Sequence, residues 1–323
     1  MKKLLSIFTM LLLFISCGST NNDNVKENKE LKEITFVLDW TPNTNHTGIY
    51  VAKEKGFFEE NGLKVNIVQP SEDSSSTIVA VGKAEFGVYF QPNMIGKLQK
   101  NMPITAIAAI LEHNTAGLFT LKSLNTKSPK DLEKLRYATW EDAIDDATVK
   151  DLVGENINAV PFGDVTDPIG AIKHDIFDYL ISYYAWDGIN AQIKNEEIDF
   201  YFFKDFNANL DYYSPVIIAN NDFIKNNPEI TKNFLKAAKK GYEFAIENPD
   251  KAADILIKYA PESNPNLIKE SQKWISKHYV ENGKEWGVFD IQRWDNFFNW
   301  VYENKLIDKP FPSSYGVTNE YIK

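Results

Sequence analysis

Ile34-Thr35-Phe36-Val37-Leu38-Asp39-Trp40-Thr41-Pro42-Asn43-Thr44-Asn45-His46-Thr47 runs from an apolar strand pattern straight into a helix start. Ile34–Leu38 reads as a buried strand. Thr47–Asn61 reads as a helix stopped by Gly62. A strand emptying through a short polar loop into a helix is the repeating unit of an open α/β sheet. In such sheets ligands sit outside the carboxyl ends of the strands, where helix N-termini present free N–H groups. The loop between is dressed for that role. Trp40 offers a flat face, Asp39 a carboxylate, and Asn43, Asn45 and His46 neutral donors and acceptors. The plainer reading is an ordinary loop, with Thr44 or Asn45 capping the helix and Trp40 half-buried.

The same unit repeats outward. Strands are expected at Leu63–Val68, Phe86–Phe90 and Ile104–Ile110, with helices at Ser74–Val81 and Met94–Lys100. A second set follows, with strands at Arg136–Thr139, Asn158–Val160, Tyr179–Ser182 and Asp199–Phe203 and helices at Ala143–Val153 and Pro168–His174. Two largely parallel sheets are therefore expected. Glu85 before Phe86 and Asp178 before Tyr179 form a weak echo between them. The tail reads as helical. Asn227-Pro228, Asn248-Pro249 and Asn264-Pro265 each pair a capping Asn with a Pro suited to the first turn. Phe234, Leu235, Ala238, Tyr242, Ala245 and Ile246 share one helical face, as do Trp294, Phe297, Phe298 and Val301, and both stripes read as core.

The N-terminus sets the compartment. Lys2 and Lys3 precede an apolar run, Leu4–Ile15, which ends at Ser16-Cys17-Gly18-Ser19. This is a secretory signal, too short for an ordinary spanning helix. Cys17 stands where a bacterial lipoprotein carries its diacylglycerol, with Phe14 in place of the more usual Leu. Several acyl chains on one residue give stable anchoring. The expected division is 1–16 signal, 17–33 lipidated Cys and polar tether, then two lobes. Cys17 is the only cysteine, so cysteine catalysis and Cys-type zinc sites are excluded. Losing the signal moves the formal charge from −10 to −12, which argues against nucleic acid as partner. A monomer outside the cytoplasm is expected, with no cofactor and no metal.

Three more strand exits carry aromatic and polar groups: Tyr89-Phe90-Gln91, Trp140-Glu141-Asp142, and Tyr183-Tyr184-Ala185-Trp186-Asp187-Gly188. Together with the first loop they imply an aromatic-lined cleft suited to a flat nitrogen heterocycle. Asp145-Asp146 and Glu196-Glu197 read as solvated helix faces. No P-loop, strand-linked GxGxxG, HExxH or GxSxG occurs, and the four histidines show no metal-ligand spacing. No catalytic set is expected.

At these residues the chain resembles a known family. Leu38–Asn43 with His46–Tyr50, Lys55-Gly56-Phe57-Phe58, Tyr184–Gly188, Asn227-Pro228-Glu229, Lys240–Ala245, Trp286-Gly287 and Thr318–Tyr321 form an ordered set from Ile34 to Ile322. They are similar to the solute-binding proteins of bacterial ABC importers for the thiamine pyrimidine precursor, and to the eukaryotic pyrimidine synthases related to them. The resemblance implies a type II periplasmic-binding fold. Residues 34–118 and 217–323 would form one lobe and 119–216 the other, with crossings near Gly117–Ser123 and Tyr213–Ala219. It also implies capture of a formylaminopyrimidine and delivery to a permease and its ATPase. Candidate ligand-binding residues are Asp39, Trp40, Asn43, His46, Tyr89, Gln91, Trp140, Glu141, Tyr184, Trp186 and Asp187. Asp187 stands where relatives usually carry Glu, and Glu141-Asp142 where they carry Gly-Ser. Two carboxylates there would repel a phosphate. Riboflavin or another nitrogen heterocycle is the alternative ligand. The synthases use a cysteine cluster and a histidine. The corresponding segments here, Leu210–Pro215 and Gln91–Met94, contain neither, which disfavours an enzyme.

Overall fold

The computed structural model describes residues 30–70, 74–163 and 167–323. The signal segment and Cys17 lie outside them. Among the described residues no helix is long and apolar enough to cross a membrane.

Among the described residues ten strands form two five-stranded sheets. β1 (Lys32–Val37), β2 (Leu63–Val68), β3 (Phe86–Tyr89), β4 (Ile104–Ala109) and β10 (Val216–Asn220) make the first, in the order β2-β1-β3-β10-β4. β5 (Ala116–Leu121), β6 (Arg136–Thr139), β7 (Asn158–Pro161), β8 (Tyr179–Tyr183) and β9 (Ile198–Phe202) make the second, in the order β7-β6-β8-β5-β9. The sheets are mixed rather than largely parallel. β1 runs parallel to β2 and β3, while β10 runs antiparallel to β3 and β4. In the second sheet β6 runs parallel to β7 and β8, while β5 runs antiparallel to β8 and β9. β5 and β10 are the strands on which the chain enters the second sheet and re-enters the first, so each joins its sheet against the grain.

The crossings therefore lie earlier than expected. Gly117–Ser123 and Tyr213–Ala219 are mostly strand. The chain passes over in 110–115 and returns in 203–215. Both passages are tied together. His113 Nδ1 and Asp211 Oδ2 are 2.5 Å apart, and Asn114 N–H donates to Asp211 Oδ1 at 2.8 Å.

The tail helices hold the first lobe. The helix Thr47–Glu54 packs on Pro228–Glu247 almost backbone to backbone. A Cβ on Gly241 would stand 1.9 Å from Gly48 O, and one on Gly48 would stand 2.3 Å from the Tyr242 ring. Only glycine fits either place. The expected Thr47–Asn61 helix is broken at Gly56, whose φ of +74° starts the separate turn Phe57–Glu60. The Asn-Pro helix starts also divide. Asn264 accepts from Asn266 N–H as expected. Asn227 and Asn248 instead donate from Nδ2 back to Phe223 O and Phe244 O, closing the preceding helix. The aromatic stripe is core: Trp294 and Phe297 are fully buried.

Candidate functional site

The loop after β1 is fixed from two directions. Asn43 opens the turn Thr44–His46, its Oδ1 accepting from Asn45 N–H at 2.9 Å and its Nδ2 donating to Thr41 O at 3.1 Å. His46 Nδ1 accepts from Asn43 N–H at 3.2 Å, which leaves the ring proton on Nε2. Nε2 donates to Asp39 Oδ1 at 2.6 Å. From the tail, Tyr242 Oη donates to Asn45 O at 2.7 Å and Tyr279 Oη to Thr44 O at 2.5 Å. Asn43 and His46, expected to touch ligand, are buried and already engaged. They hold Asp39 in place and leave Trp40 half-exposed at 53 %.

Trp140, after β6, is 44 % exposed. Glu141 is exposed and adopts φ +61°, its N–H donating to Thr139 Oγ1 at 2.8 Å. Asp142 caps the helix Ala143–Val153, accepting from Ile144 N–H at 2.8 Å and Asp145 N–H at 3.2 Å. Asp146 accepts from Thr139 Oγ1 at 2.6 Å. Asp145 has no such tie. Burial, then the charges of Asp142 and Asp146, push its carboxyl up to about 7. It does not lie on a solvated face, as the sequence led one to expect.

Tyr183, at the end of β8, joins the two sides. The residue as a whole is 37 % exposed. Burial raises its hydroxyl, and the charges of Asp145 from the second lobe and Asp39 from the first add to this. Burial likewise raises the Tyr89 hydroxyl of β3, and Asp142 across the cleft adds to it. Tyr89 is almost wholly buried. The charges of Asp39 and Asp145 thus meet at Tyr183 and that of Asp142 reaches Tyr89, while Trp40, Trp140 and Glu141 stand exposed after β1 and β6. A first-turn acid directly after a strand exit was the sequence signal for Asp145.

The remaining candidates lie elsewhere. Gln91 is fully buried; its Nε2 donates to Trp294 O at 2.9 Å and its Oε1 accepts from Tyr213 N–H at 2.9 Å. It braces the second crossing. Tyr184, the first residue after β8, lines a cavity of about 540 Å³ beside the crossings, with Phe200, Phe202, Trp274 and His278. None of Asp39, Trp40 or Trp140 borders that cavity. Trp186 packs on the first lobe's core. Asp187 Oδ2 accepts from Ser182 Oγ at 2.6 Å, and burial raises its carboxyl. Tyr184–Gly188 form one π-helical turn, which swings these side chains away from the alternation a strand would give.

Glu112, His113 and Glu281 are close enough together to share a metal ion. Cations already serve them: Lys284 Nζ lies 2.8 Å from both Glu112 and Glu281. Arg293 lies 3.3 Å from Asp211. The cluster is an ion-pair clamp on the crossings.

A family profile described as NMT1/THI5 like matches residues 43–252. The formylaminopyrimidine-binding protein of Halalkalibacterium halodurans is 27 % identical, with 95 % of this chain and 96 % of that protein covered. A 4-amino-5-hydroxymethyl-2-methylpyrimidine phosphate synthase of Legionella pneumophila is 25 % identical, with 90 % and 92 % covered. Among solved structures, the periplasmic aliphatic sulphonate binding protein from Escherichia coli aligns with a TM-score of 0.68 at 11 % identity, covering 90 % of this chain and 99 % of that one. The ligand binding component of an ABC-type import system from Staphylococcus aureus aligns at 0.67 and 12 %, covering 90 % and 98 %. The fold is the two-lobed α/β fold of periplasmic solute-binding proteins.

Proposed function

This chain belongs to the NMT1/THI5-like family, and on that premise we propose that it is the solute-binding component of an ABC importer. It is held outside the cytoplasm by lipid on Cys17. It captures a thiamine pyrimidine precursor, formylaminopyrimidine-like, between its lobes and passes it to a permease and its ATPase. The observation that carries this reading is the pair of half-exposed indoles, Trp40 and Trp140, each following a strand of a different sheet, with the charges of Asp39 and Asp145 meeting at Tyr183. Aromatic faces take a flat ring, and a few fixed polar groups orient it.

Closure follows from contacts made on both lobes at once, since ligand favours whichever state it touches more. The crossings at 110–115 and 203–215 absorb the motion. A binding role also fits the residues the synthases use and this chain lacks: no cysteine in Leu210–Pro215 and no histidine in Gln91–Met94.

Native mass spectrometry of residues 18–323, with a thermal-shift screen of pyrimidines, flavins and sulfonates, tests the proposal. A formylaminopyrimidine that co-purifies or raises the melting point supports it. A response to flavin alone keeps the transport role and replaces the ligand. Turnover of any of these compounds refutes a pure binding role.

A further inference from the structure

The cavity of about 540 Å³ beside the crossings is walled by aromatic rings from both lobes. Tyr184, on the π-helical turn, stands 5.1 Å from Phe200 and 5.4 Å from Phe202, centroid to centroid. Across the lobes it stands 5.2 Å from Trp274, on the tail helix Pro265–Ile275. Trp274 in turn stacks on the His278 ring at 3.7 Å and 14°. These rings are not buried as the core aromatics are, and each is partly open to water. The volume falls within the roughly 300–1,000 Å³ usual for small-molecule sites.

The Tyr184 ring is held in place. Gln192 Nε2 donates to its hydroxyl at 2.7 Å, and Gly188 makes room for it, since a Cβ there would stand 2.5 Å from the ring. Two polar groups at the cavity have no such engagement. Thr115, on the first crossing, lines the cavity and is only 3 % exposed, yet its hydroxyl has no hydrogen-bond partner among the described residues. Buried polar groups are as a rule satisfied. His278 Nδ1 donates to Trp274 O at 2.9 Å, which leaves the neutral ring a lone pair on Nε2, also without a partner among the described residues. Burial, with the charge of Lys204 adding to it, lowers the imidazole below its ordinary value and so favours that neutral ring. The charges around the cavity are matched. Lys204 Nζ lies 3.1 Å from Asp205 Oδ1, and His113 lies between Asp211 and Glu281. An occupant therefore meets flat apolar faces, one acceptor and one hydroxyl, with no charge left over.

We propose that this cavity is a second ligand site, separate from the residues Trp40 and Trp140, and that it takes a small uncharged aromatic or heteroaromatic ring bearing an N–H or O–H donor. The ring lies against the aromatic wall, and His278 Nε2 accepts from the donor. Thr115 supplies a hydroxyl to a further polar atom where the ligand has one. The proposal does not depend on what the first site binds. Its walls come from both lobes and the first crossing, so an occupant favours whichever lobe arrangement holds it more tightly.

The test is ligand-observed NMR titration of residues 18–323 with two probes of one shape, indole and benzofuran, which has an oxygen in place of the N–H. Indole is expected to bind with a Kd below about 1 mM and about five-fold more tightly than benzofuran. His278→Phe keeps a ring to stack on Trp274 and removes the acceptor, so indole should fall to the level of benzofuran, which binds as before. Trp274→Ala should weaken both probes by about ten-fold or more, with a melting curve to show that the fold survives. Phe200→Ala, on the edge strand β9, should do the same and serves where Trp274→Ala does not fold. Trp40→Ala should change neither probe. The proposal is overturned by indole binding weaker than about 1 mM, by equal binding of the two probes, or by a margin that survives His278→Phe. It is also overturned if binding is lost in Trp40→Ala and kept in the folded Trp274→Ala or Phe200→Ala.

Discussion

His46 Nε2 donates to Asp39 Oδ1 at 2.6 Å, and the histidine side chain is wholly buried while that of the aspartate is 7 % exposed. The ring is locked from its far side by the backbone N–H of Asn43. A buried imidazole thus orients the carboxylate proposed to meet the ligand. His46→Ala removes the support and leaves Asp39 unpaired. It is expected to lower stability by about 2–3 kcal/mol. Ligand affinity should fall by about ten-fold even where the protein is fully folded. Denaturant melts alongside titration separate the two effects. Unchanged affinity would show that Asp39 needs no such support.

Trp40 and Trp140 give the opposite signature. Both are about half-exposed, so truncating them exposes little core. Trp40→Ala and Trp140→Ala should each change stability by less than about 1 kcal/mol and weaken ligand binding by about ten-fold or more. Quenching of tryptophan emission on titration reads the same contact in the wild type.

Asp145 gives a stability prediction of definite sign. Its carboxyl stands at about 7 when folded, above the ordinary 3.8. Between those values the folded state holds the proton more tightly, so stability falls as pH rises through this window and stays lower above it. Asp145→Asn removes that loss. After discounting for water reaching the cleft, it should stabilise the ligand-free protein by about 1–2 kcal/mol at about pH 8 and by nothing at about pH 4. Thermal melts at both pH values check this.

His113 titrates with the other sign. Its hydrogen bond to Asp211 raises it above its ordinary value, outweighing burial and Arg293. The folded state then gains from the charged ring at low pH, and the gain is lost as pH rises through the raised value. His113→Gln should lower the melting point most at about pH 6, and the deficit should shrink by about pH 9. A deficit that is constant with pH would assign His113 a packing role alone.

Gly241→Ala places a methyl group 1.9 Å from Gly48 O, between two helices that cannot separate without moving the Asp39 loop. A loss of about 3 kcal/mol or more is expected, measured by urea melts.

Much of this molecule was legible in the chain. β2, β6 and the helix Ala143–Val153 fall on the expected residues, because alternation and capping are local. The four strand exits were found for the same reason. The antiparallel entry of β5 and β10 was not, since direction depends on where the chain comes from rather than on side-chain pattern. Nor were the broken helix at Gly56 or the reversed roles of Asn227 and Asn248. Asn and Gly serve both ends of a helix, and their neighbours in space decide which.

The sequence by itself determined that aromatic and polar groups crowd the carboxyl ends of strands in two α/β lobes, because that follows from residue order and period. Only the tertiary structure decided which groups are free. Gln91 is consumed by backbone groups brought from far along the chain and Asn43 and His46 by their own loop, while the Asp145 carboxyl is left beside Asp142 and Asp146. A polar side chain becomes part of a binding site only when folding leaves it without a partner, and partners come from the whole chain.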